Sequence, residues 1–403
     1  MSAPRAVIVG AGIGGLCAAL RLAQEGWRVS VFEKAQALAE VGAGLQLSPN
    51  ATCVLDRLGA LDALRDAALE PEATRLLRAR DGATLALMPL ADARARWGGP
   101  YLFAHRADLQ RALLAAAAKV EAISLGLGVE ATGFSQTNEN VETHFRKGAS
   151  RFSVEGDVLV AADGSRSILR RALFGAPAQA LAMSRRSAWR TLVPAARAPE
   201  MALRPEAALW LGPGAHLVHY PLRGRSFVNI VAVVAEAARP DVGPFWANEA
   251  DPRDLAPHFA RFDARARALV AAAPSWRKWR LHDRAPLTRW VGGRVALLGD
   301  AAHPMLPFLA QGAAQAIEDA DALGAAIASI PEPQAALRAY EAARLARASR
   351  VQQASRAQER VCHLAGAPAA ARDVAMRLMG GARLLERYAW IYAGAGLTAS
   401  SAP

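Results

Sequence analysis

Three glycine–acid signatures carry the chemistry of this chain. They are Gly10-Ala11-Gly12-Ile13-Gly14-Gly15 near the N-terminus, Asp163-Gly164 in the middle and Gly299-Asp300 late. In the first, Gly10 permits a tight turn, Gly12 lets the backbone approach a pyrophosphate, and Gly15 allows a helix to pack closely on a strand, with Gly14 in the same loop. Glu33 follows about 20 residues on, where a carboxylate accepts ribose hydroxyls and disfavours a 2′-phosphate. One such loop indicates only a nucleotide. Three signatures in distant segments indicate one extended dinucleotide laid across the fold, which implicates FAD and redox chemistry.

Each signature needs a strand to deliver it. Ala6-Val7-Ile8-Val9 is a short apolar run ending at glycine, as a buried parallel strand should. A helix over Leu16–Gln24, closed by Gly26, and a strand over Val29–Glu33 complete a βαβ opening. Val158–Ala162 and Val295–Leu298 are further buried runs, each ending at a glycine–acid pair. Alone, Asp163 also reads as a helix cap. Beyond Asp300, the segment from Leu306 to Ala314 opens a helix through Asp319, whose unpaired N–H groups at Gly312 and Ala313 face an anionic or electron-rich ring. Pro49–Leu69, with a break at Gly59, and Arg106–Val120 read as helices.

The middle of the chain has a different period. Leu209–Leu211, His216–Tyr220 and Phe227–Val231 are separated by Gly212-Pro213-Gly214 and Arg223-Gly224-Arg225, which predicts an antiparallel sheet. His216 and Tyr220 share one face of their strand and His219 points the other way. Trp189-Arg190 opens this sheet, with Arg190 either meeting a substrate carboxylate or solvated at a sheet edge. Asp254–Ala273 reads as one helix, and the tail after Pro333 as helical. His303, beside Asp300, reads as a residue that fixes its loop. The fold class is α/β. A discontinuous Rossmann-like FAD-binding domain (1–75, 98–180, 276–330) carries an inserted antiparallel-sheet substrate domain (76–97, 181–275) and a helical C-terminal region (331–403).

Composition narrows the partners. The net charge is +12. Its arginines, such as Arg344, Arg347, Arg350 and Arg356, are scattered among Ala, Leu, Asp and Glu rather than blocked, so nucleic acid is not expected. The basic field attracts anionic cofactors and substrates. Cys17, Cys53 and Cys362 form neither a disulfide framework nor a metal site, and no metal is expected. The absence of a charged leader and of any bilayer-length apolar run predicts a cytoplasmic protein with no membrane partner.

Together these motifs resemble the group A flavoprotein aromatic hydroxylases, in the branch of salicylate hydroxylase, 3-hydroxybenzoate 6-hydroxylase and 6-hydroxynicotinate 3-monooxygenase. The resemblance covers nearly the whole chain. It takes in Gly42-Ala43-Gly44-Leu45-Gln46-Leu47-Ser48-Pro49-Asn50, His105-Arg106-Ala107-Asp108-Leu109 and Tyr388-Ala389-Trp390-Ile391-Tyr392. It implies an FAD-dependent monooxygenase that hydroxylates a small aromatic acid or phenol with O2 and NADH or NADPH, through a flavin hydroperoxide kept from water. FAD would be held tightly and without a covalent bond, the nicotinamide donor only transiently, in a monomer or homodimer.

The resemblance also implies roles. Asp163 serves FAD and the nicotinamide donor. Asp300 contacts the ribityl and pyrophosphate region, Arg106 faces FAD, and Pro307 lies against the flavin ring. A base near the substrate hydroxyl is required, and a histidine and tyrosine at places matching His216 and Tyr220 line the substrate pocket. Gln46 faces the ring or the substrate, or is a turn residue. Leu309 and Ala314 depart from the glycine and asparagine common in the wider family. Two other readings stay open: a flavin epoxidase or tailoring hydroxylase of a larger substrate, and a flavin-binding protein without turnover. A plain NAD dehydrogenase would leave Asp163-Gly164 and Gly299-Asp300 unexplained.

Overall fold

Arg5–Val9 is buried at four of its five positions, as a strand covered on both faces must be. It pairs in parallel with Arg28–Glu33 on one side and with Val158–Ala161 on the other. Val158–Ala161 in turn pairs in parallel with Val295–Leu297. Val9 is the register partner of Ala161, and Ala161 of Leu297. Three segments far apart in sequence therefore end side by side, and the three glycine–acid signatures leave the same edge of one sheet. Ile123–Leu127 and the short antiparallel Val291–Gly292 complete its six strands. The computed structural model describes residues 3–38, 43–175, 182–236 and 248–394.

The second sheet has eight strands. From edge to edge these are Asn248–Ala250, Trp276–Asp283, Ala182–Pro194, Phe227–Ala235, Ala215–Leu222, Glu206–Gly212, Ala73–Arg78 and Thr84–Pro89. Pairing is antiparallel except between Glu206–Gly212 and Ala73–Arg78. The expected limits of this unit are corrected at two places. The boundary at 76 cuts the Ala73–Arg78 strand. The boundary at 275 leaves out Trp276–Asp283, whose mix of charged and aromatic residues hides a strand that docks on Ala182–Pro194. Asp254–Ala273 is also not one helix. Asp263 accepts a hydrogen bond from the Arg265 amide and starts a second helix, so the segment splits into Pro252–Phe259 and Ala264–Ala272. Leu255, Phe259, Phe262 and Leu269 pack there against Trp210, Leu217 and Trp276 on the outer face of the sheet.

Two smaller sheets were not expected. A meander of Glu130–Gln136, Val141–Lys147 and Ser150–Gly156 packs Phe145 against Phe32 at 4.3 Å between ring centroids. Gly44–Leu47 pairs with Leu102–His105.

The tail forms helices Pro333–Cys362, Gly366–Glu386 and Ala389–Tyr392, the second kinked at Gly380. Gly381 lies so close to the Thr84–Pro89 edge strand that a β-carbon would stand 1.6 Å from the Leu87 carbonyl oxygen. Some arginines of this tail, Arg344 and Arg347 among them, fold inward, while Arg350 stays exposed. Arg344 is fully buried and pairs with Glu318 at 2.7 Å and Asp319 at 2.8 Å, and Arg347 joins Glu318 at 2.6 Å. A buried cation needs such partners. Here they bind the tail to Gly312–Ser329, the helix that opens at the dinucleotide site. Among the described residues no helix is long and apolar enough to cross a membrane.

Candidate active site

The first strand runs into Gly10, whose φ of 107° belongs to glycine and whose β-carbon would meet the Ala162 carbonyl oxygen at 2.3 Å. The helix Ile13–Gln24 follows with Gly12 as its N-cap and no side-chain capping bond. A β-carbon at Gly12 would meet nothing within 4 Å. The space over this helix N-terminus is open, with amides that have no acceptor inside the helix. Gly14 fits under Leu298 and Ala316 of the late segment. Glu33 fixes the loop: one carboxylate oxygen accepts from the Ala11 amide at 3.0 Å and the other from Ala35 at 2.9 Å. Each oxygen keeps a lone pair for a ligand hydroxyl.

Asp163 divides its carboxylate between two tasks. Oδ2 accepts from the amides of Ile168 at 2.9 Å and Leu169 at 3.3 Å, capping the helix Ile168–Phe174. Oδ1 is buried without a partner among the described residues, and burial raises the carboxyl above its ordinary range despite the amides that pull it down. An orphaned buried acceptor costs free energy until a donor arrives. Its position on the cavity wall fits a ligand that brings hydroxyls or an N–H.

Asp300 sits exposed on a 3₁₀ turn, Gly299–Ala301. Beneath it His303 is fully buried, its Nε2 2.6 Å from Asp319, so it anchors the turn. The 3₁₀ turn Pro307–Leu309 ends at Ala310 in the left-handed region, φ 52°, before the helix Gly312–Ser329. Gly312 and Ala313 are its first residues. Ala314 faces the core, fully buried, and Leu309 lines the cavity. Arg106 begins the helix Arg106–Ala117 and is exposed.

The floor of the inner half is the eight-stranded sheet. Arg190, Val231, Val218, Leu209 and Leu76 are successive register partners across five strands, and all face one cavity. His216 and Tyr220 flank Val218 on the same face. His219 faces away, beside Trp210, with neither ring nitrogen partnered among the described residues; burial lowers its pKa to about 3. Arg190 is not at a sheet edge. Its strand is interior, its guanidinium lies 5.3 Å from the Trp279 ring, and its Nε has no hydrogen-bond partner among the described residues. Tyr220 packs on Phe103, and burial pushes its hydroxyl up in pKa while Arg190 pulls it down. Gln46 lies on a strand rather than in a turn and accepts a hydrogen bond from the Tyr101 hydroxyl at 2.9 Å. Gly42, the start of its glycine turn, lies outside the described residues.

These features line a continuous cavity of about 750 Å³. It runs from the Gly10–Gly15 loop past Glu33, Asp163 and Asp300 to Pro307, Gln46, His216 and Tyr220, and Arg106, Gly299, Gly312 and Ala313 also line it. Its length, its open helix N-terminus and its orphaned acceptor fit FAD with a second small molecule beyond the ring. Sequence reasoning missed Tyr101, Phe308 and Cys362 on its wall, and His363, whose Nε2 stands 2.8 Å from His216 Nδ1. Tyr101, Cys362 and His363 belong to no recognisable local motif, whereas Phe308 follows Pro307 in the late segment.

Comparison with known proteins agrees with the geometry. A family model described as FAD binding domain matches residues 4–355. The chain is 37% identical to 3-hydroxybenzoate 6-hydroxylase 1 of Aquipseudomonas alcaligenes, over 96% of this chain and 95% of that protein. It is 38% identical to 3-amino-4-hydroxybenzoate 2-monooxygenase PtnB3 of Streptomyces platensis, over 96% of each. Among solved structures, Klebsiella pneumoniae HpxO complexed with FAD and uric acid superposes with a TM-score of 0.84 at 28% identity, covering 97% of this chain and 96% of that one.

Proposed function

The chain belongs to the FAD-binding-domain family of flavin-dependent aromatic-ring monooxygenases, and on that premise we propose that its substrate is a small hydroxylated aromatic carboxylic acid. The observation that carries this substrate class is Arg190. It is a cation on the inner cavity wall, its Nε buried and without a partner among the described residues, beside His216 and Tyr220 on an otherwise apolar floor. Such a guanidinium is costly until an anion pairs with it, and a ring carboxylate supplies that anion while the apolar floor takes the ring.

The residues divide the work. Gly12 and the helix N-terminus would hold the pyrophosphate, Glu33 a ribose, and Asp163 and Asp300 the sugar-like chain. Arg106, Gly312 and Ala313 would face the flavin, and Pro307 would lie against its ring. Bound FAD, once reduced by NADH or NADPH, supplies the electrons with which dioxygen hydroxylates the ring. Arg190 and Tyr220 orient the substrate. His216 accepts the proton of its hydroxyl, leaving an electron-rich ring. Val218, Leu209 and Phe308 exclude water from the reacting face. Gln46, held by Tyr101, fixes the boundary between flavin and substrate.

A panel of 3-hydroxybenzoate, 3-amino-4-hydroxybenzoate, salicylate and 6-hydroxynicotinate tests the reading. Expected is NAD(P)H oxidation stimulated by at least one acid, with hydroxylated product formed. Equal stimulation by the same rings without a carboxylate would remove the role given to Arg190.

A further inference from the structure

Glu359, His363 and His216 form a hydrogen-bonded line that ends at the cavity. His363 is the C-cap of the helix Pro333–Cys362. Its Nδ1 lies 2.8 Å from the Glu359 carbonyl oxygen, and its Nε2 lies 2.8 Å from His216 Nδ1. Both rings are buried, and Phe308 packs against both, 5.8 Å from His363 and 5.5 Å from His216 between ring centroids.

The donor in each bond follows from elimination. A carbonyl oxygen only accepts, so His363 Nδ1 carries a proton. In a neutral imidazole the other nitrogen is then a lone pair. His363 Nε2 must accept, and His216 Nδ1 must donate to it. His216 Nε2, the remaining nitrogen of a ring that lines the cavity, is left bare. The elimination needs both rings neutral. Burial and the Arg186 guanidinium hold both below the ordinary histidine range, His363 at about 4. The charged groups around the pair come from three elements. Arg186, from Ala182–Pro194, is paired with Glu359 of the capped helix at 2.7 Å, and Arg372, from Gly366–Glu386, is paired with Asp373.

We propose that His363 is a positioning residue that, anchored on the Glu359 carbonyl, locks His216 in the tautomer protonated at Nδ1, so that Nε2 meets the substrate hydroxyl as a bare base. The proposal rests on the reading that His216 faces the substrate. In the step it serves, the substrate O–H bond breaks and its electron pair stays on oxygen. The proton goes to His216 Nε2, and Nδ1–H keeps its bond to His363. The Glu359 carbonyl belongs to the last turn of its helix, the negative end of the helix dipole, which favours the transient imidazolium. A histidine free in water prefers its proton on Nε2, so the opposite tautomer is diagnostic.

The test uses histidine-labelled, FAD-loaded protein and the ¹⁵N shifts of its imidazoles, with the His216 signals identified by their loss in His216→Gln. Wild-type His216 is expected to show a protonated Nδ1 and a bare Nε2. In His363→Leu the proton should move to Nε2, and kcat for 3-hydroxybenzoate, or for whichever panel acid turns over, should fall about 10²-fold with little change in KM. His363→Gln, whose amide oxygen can accept from Nδ1–H, should restore the tautomer and most of the rate. A wild-type His216 protonated on Nε2 overturns the proposal, as does His363→Leu with unchanged tautomer and kcat. His216→Ala separates this from the underlying reading: unchanged turnover in that variant refutes the substrate assignment, whatever the tautomer spectrum shows.

Discussion

Gly15 faces the carbonyl oxygen of Gly10 so closely that a β-carbon on it would stand 1.9 Å from that oxygen, while Gly12, between them, faces open space. The two glycines are thus required for different reasons. Gly15→Ala should destabilise the protein itself, because the strand-to-helix turn must open. Gly12→Val should leave the melting temperature of FAD-free protein nearly unchanged and abolish FAD uptake in a fluorescence titration. A Gly12→Val protein that binds FAD as tightly as the parent would show that this space is not the pyrophosphate site.

The two acidic signatures should also separate. Asp300 is exposed into the cavity, so Asp300→Ala should weaken FAD binding with little change in stability. Asp163 caps a helix with one oxygen, and its other oxygen has no partner among the described residues. Asp163→Ala should therefore lose about 1 kcal/mol of stability as well as FAD affinity. Equal melting temperatures for the two variants would count against that division.

The gathering of Gly10–Gly15, Asp163 and Asp300 on one cavity was legible because its signals are local. A buried run followed by glycine and an acid marks a strand end wherever it occurs, and only the register of Val9, Ala161 and Leu297 had to be supplied by the fold. His216 and Tyr220 were legible as a pair because alternation along one strand needs no knowledge of its neighbours. Arg190 stayed between two readings, a substrate contact or a solvated sheet edge, since its interior position depends on Phe227–Ala235 and Trp276–Asp283, far along the chain. His363 was hidden for the same reason: it reaches His216 across 147 residues from a helix end. The Arg344 ion cluster was invisible because scattered arginines look solvated until Glu318 and Asp319 are folded beneath them.

On the strand Ala215–Leu222, His216→Ala and Tyr220→Phe should keep FAD bound while lowering product formed per NAD(P)H oxidised, with rates reduced about 10²- to 10⁴-fold where proton transfer is lost. His219→Ala should spare that ratio, because His219 lies on the other face. Damage confined to His219→Ala would place the substrate on the wrong side of the sheet.

Arg190→Met should raise KM for an aromatic acid about 10- to 10²-fold, the loss expected for a hydrogen bond to a charged group. The same change should leave a phenol without a carboxylate almost unaffected. Steady-state kinetics with 3-hydroxybenzoate and phenol, compared in parent and variant, read the difference directly. A parallel loss for both would make Arg190 a general structural cation.

Stability should fall with acid, and one residue should account for a measurable share. Burial lowers the pKa of His219 to about 3 and that of His363 to about 4, against an ordinary 6.5. A lowered value means that the unfolded chain binds the proton first. The penalty is absent above about pH 6.5 and grows as pH falls towards the folded-state values, at up to about 1.4 kcal/mol per pH unit for each histidine. Among the described residues neither nitrogen of His219 has a partner to lose, and its neighbour is the Trp210 ring at 6.5 Å. His219→Leu should therefore flatten the pH dependence of unfolding between pH 6.5 and 4.5 by one histidine's share and raise stability most at the acid end. It should do so without touching turnover, because the side chain faces away from the cavity. Urea unfolding of parent and variant at pH 7.5, 5.5 and 4.5 measures this, and parallel curves at all three would mean that His219 takes up its proton as readily folded as unfolded.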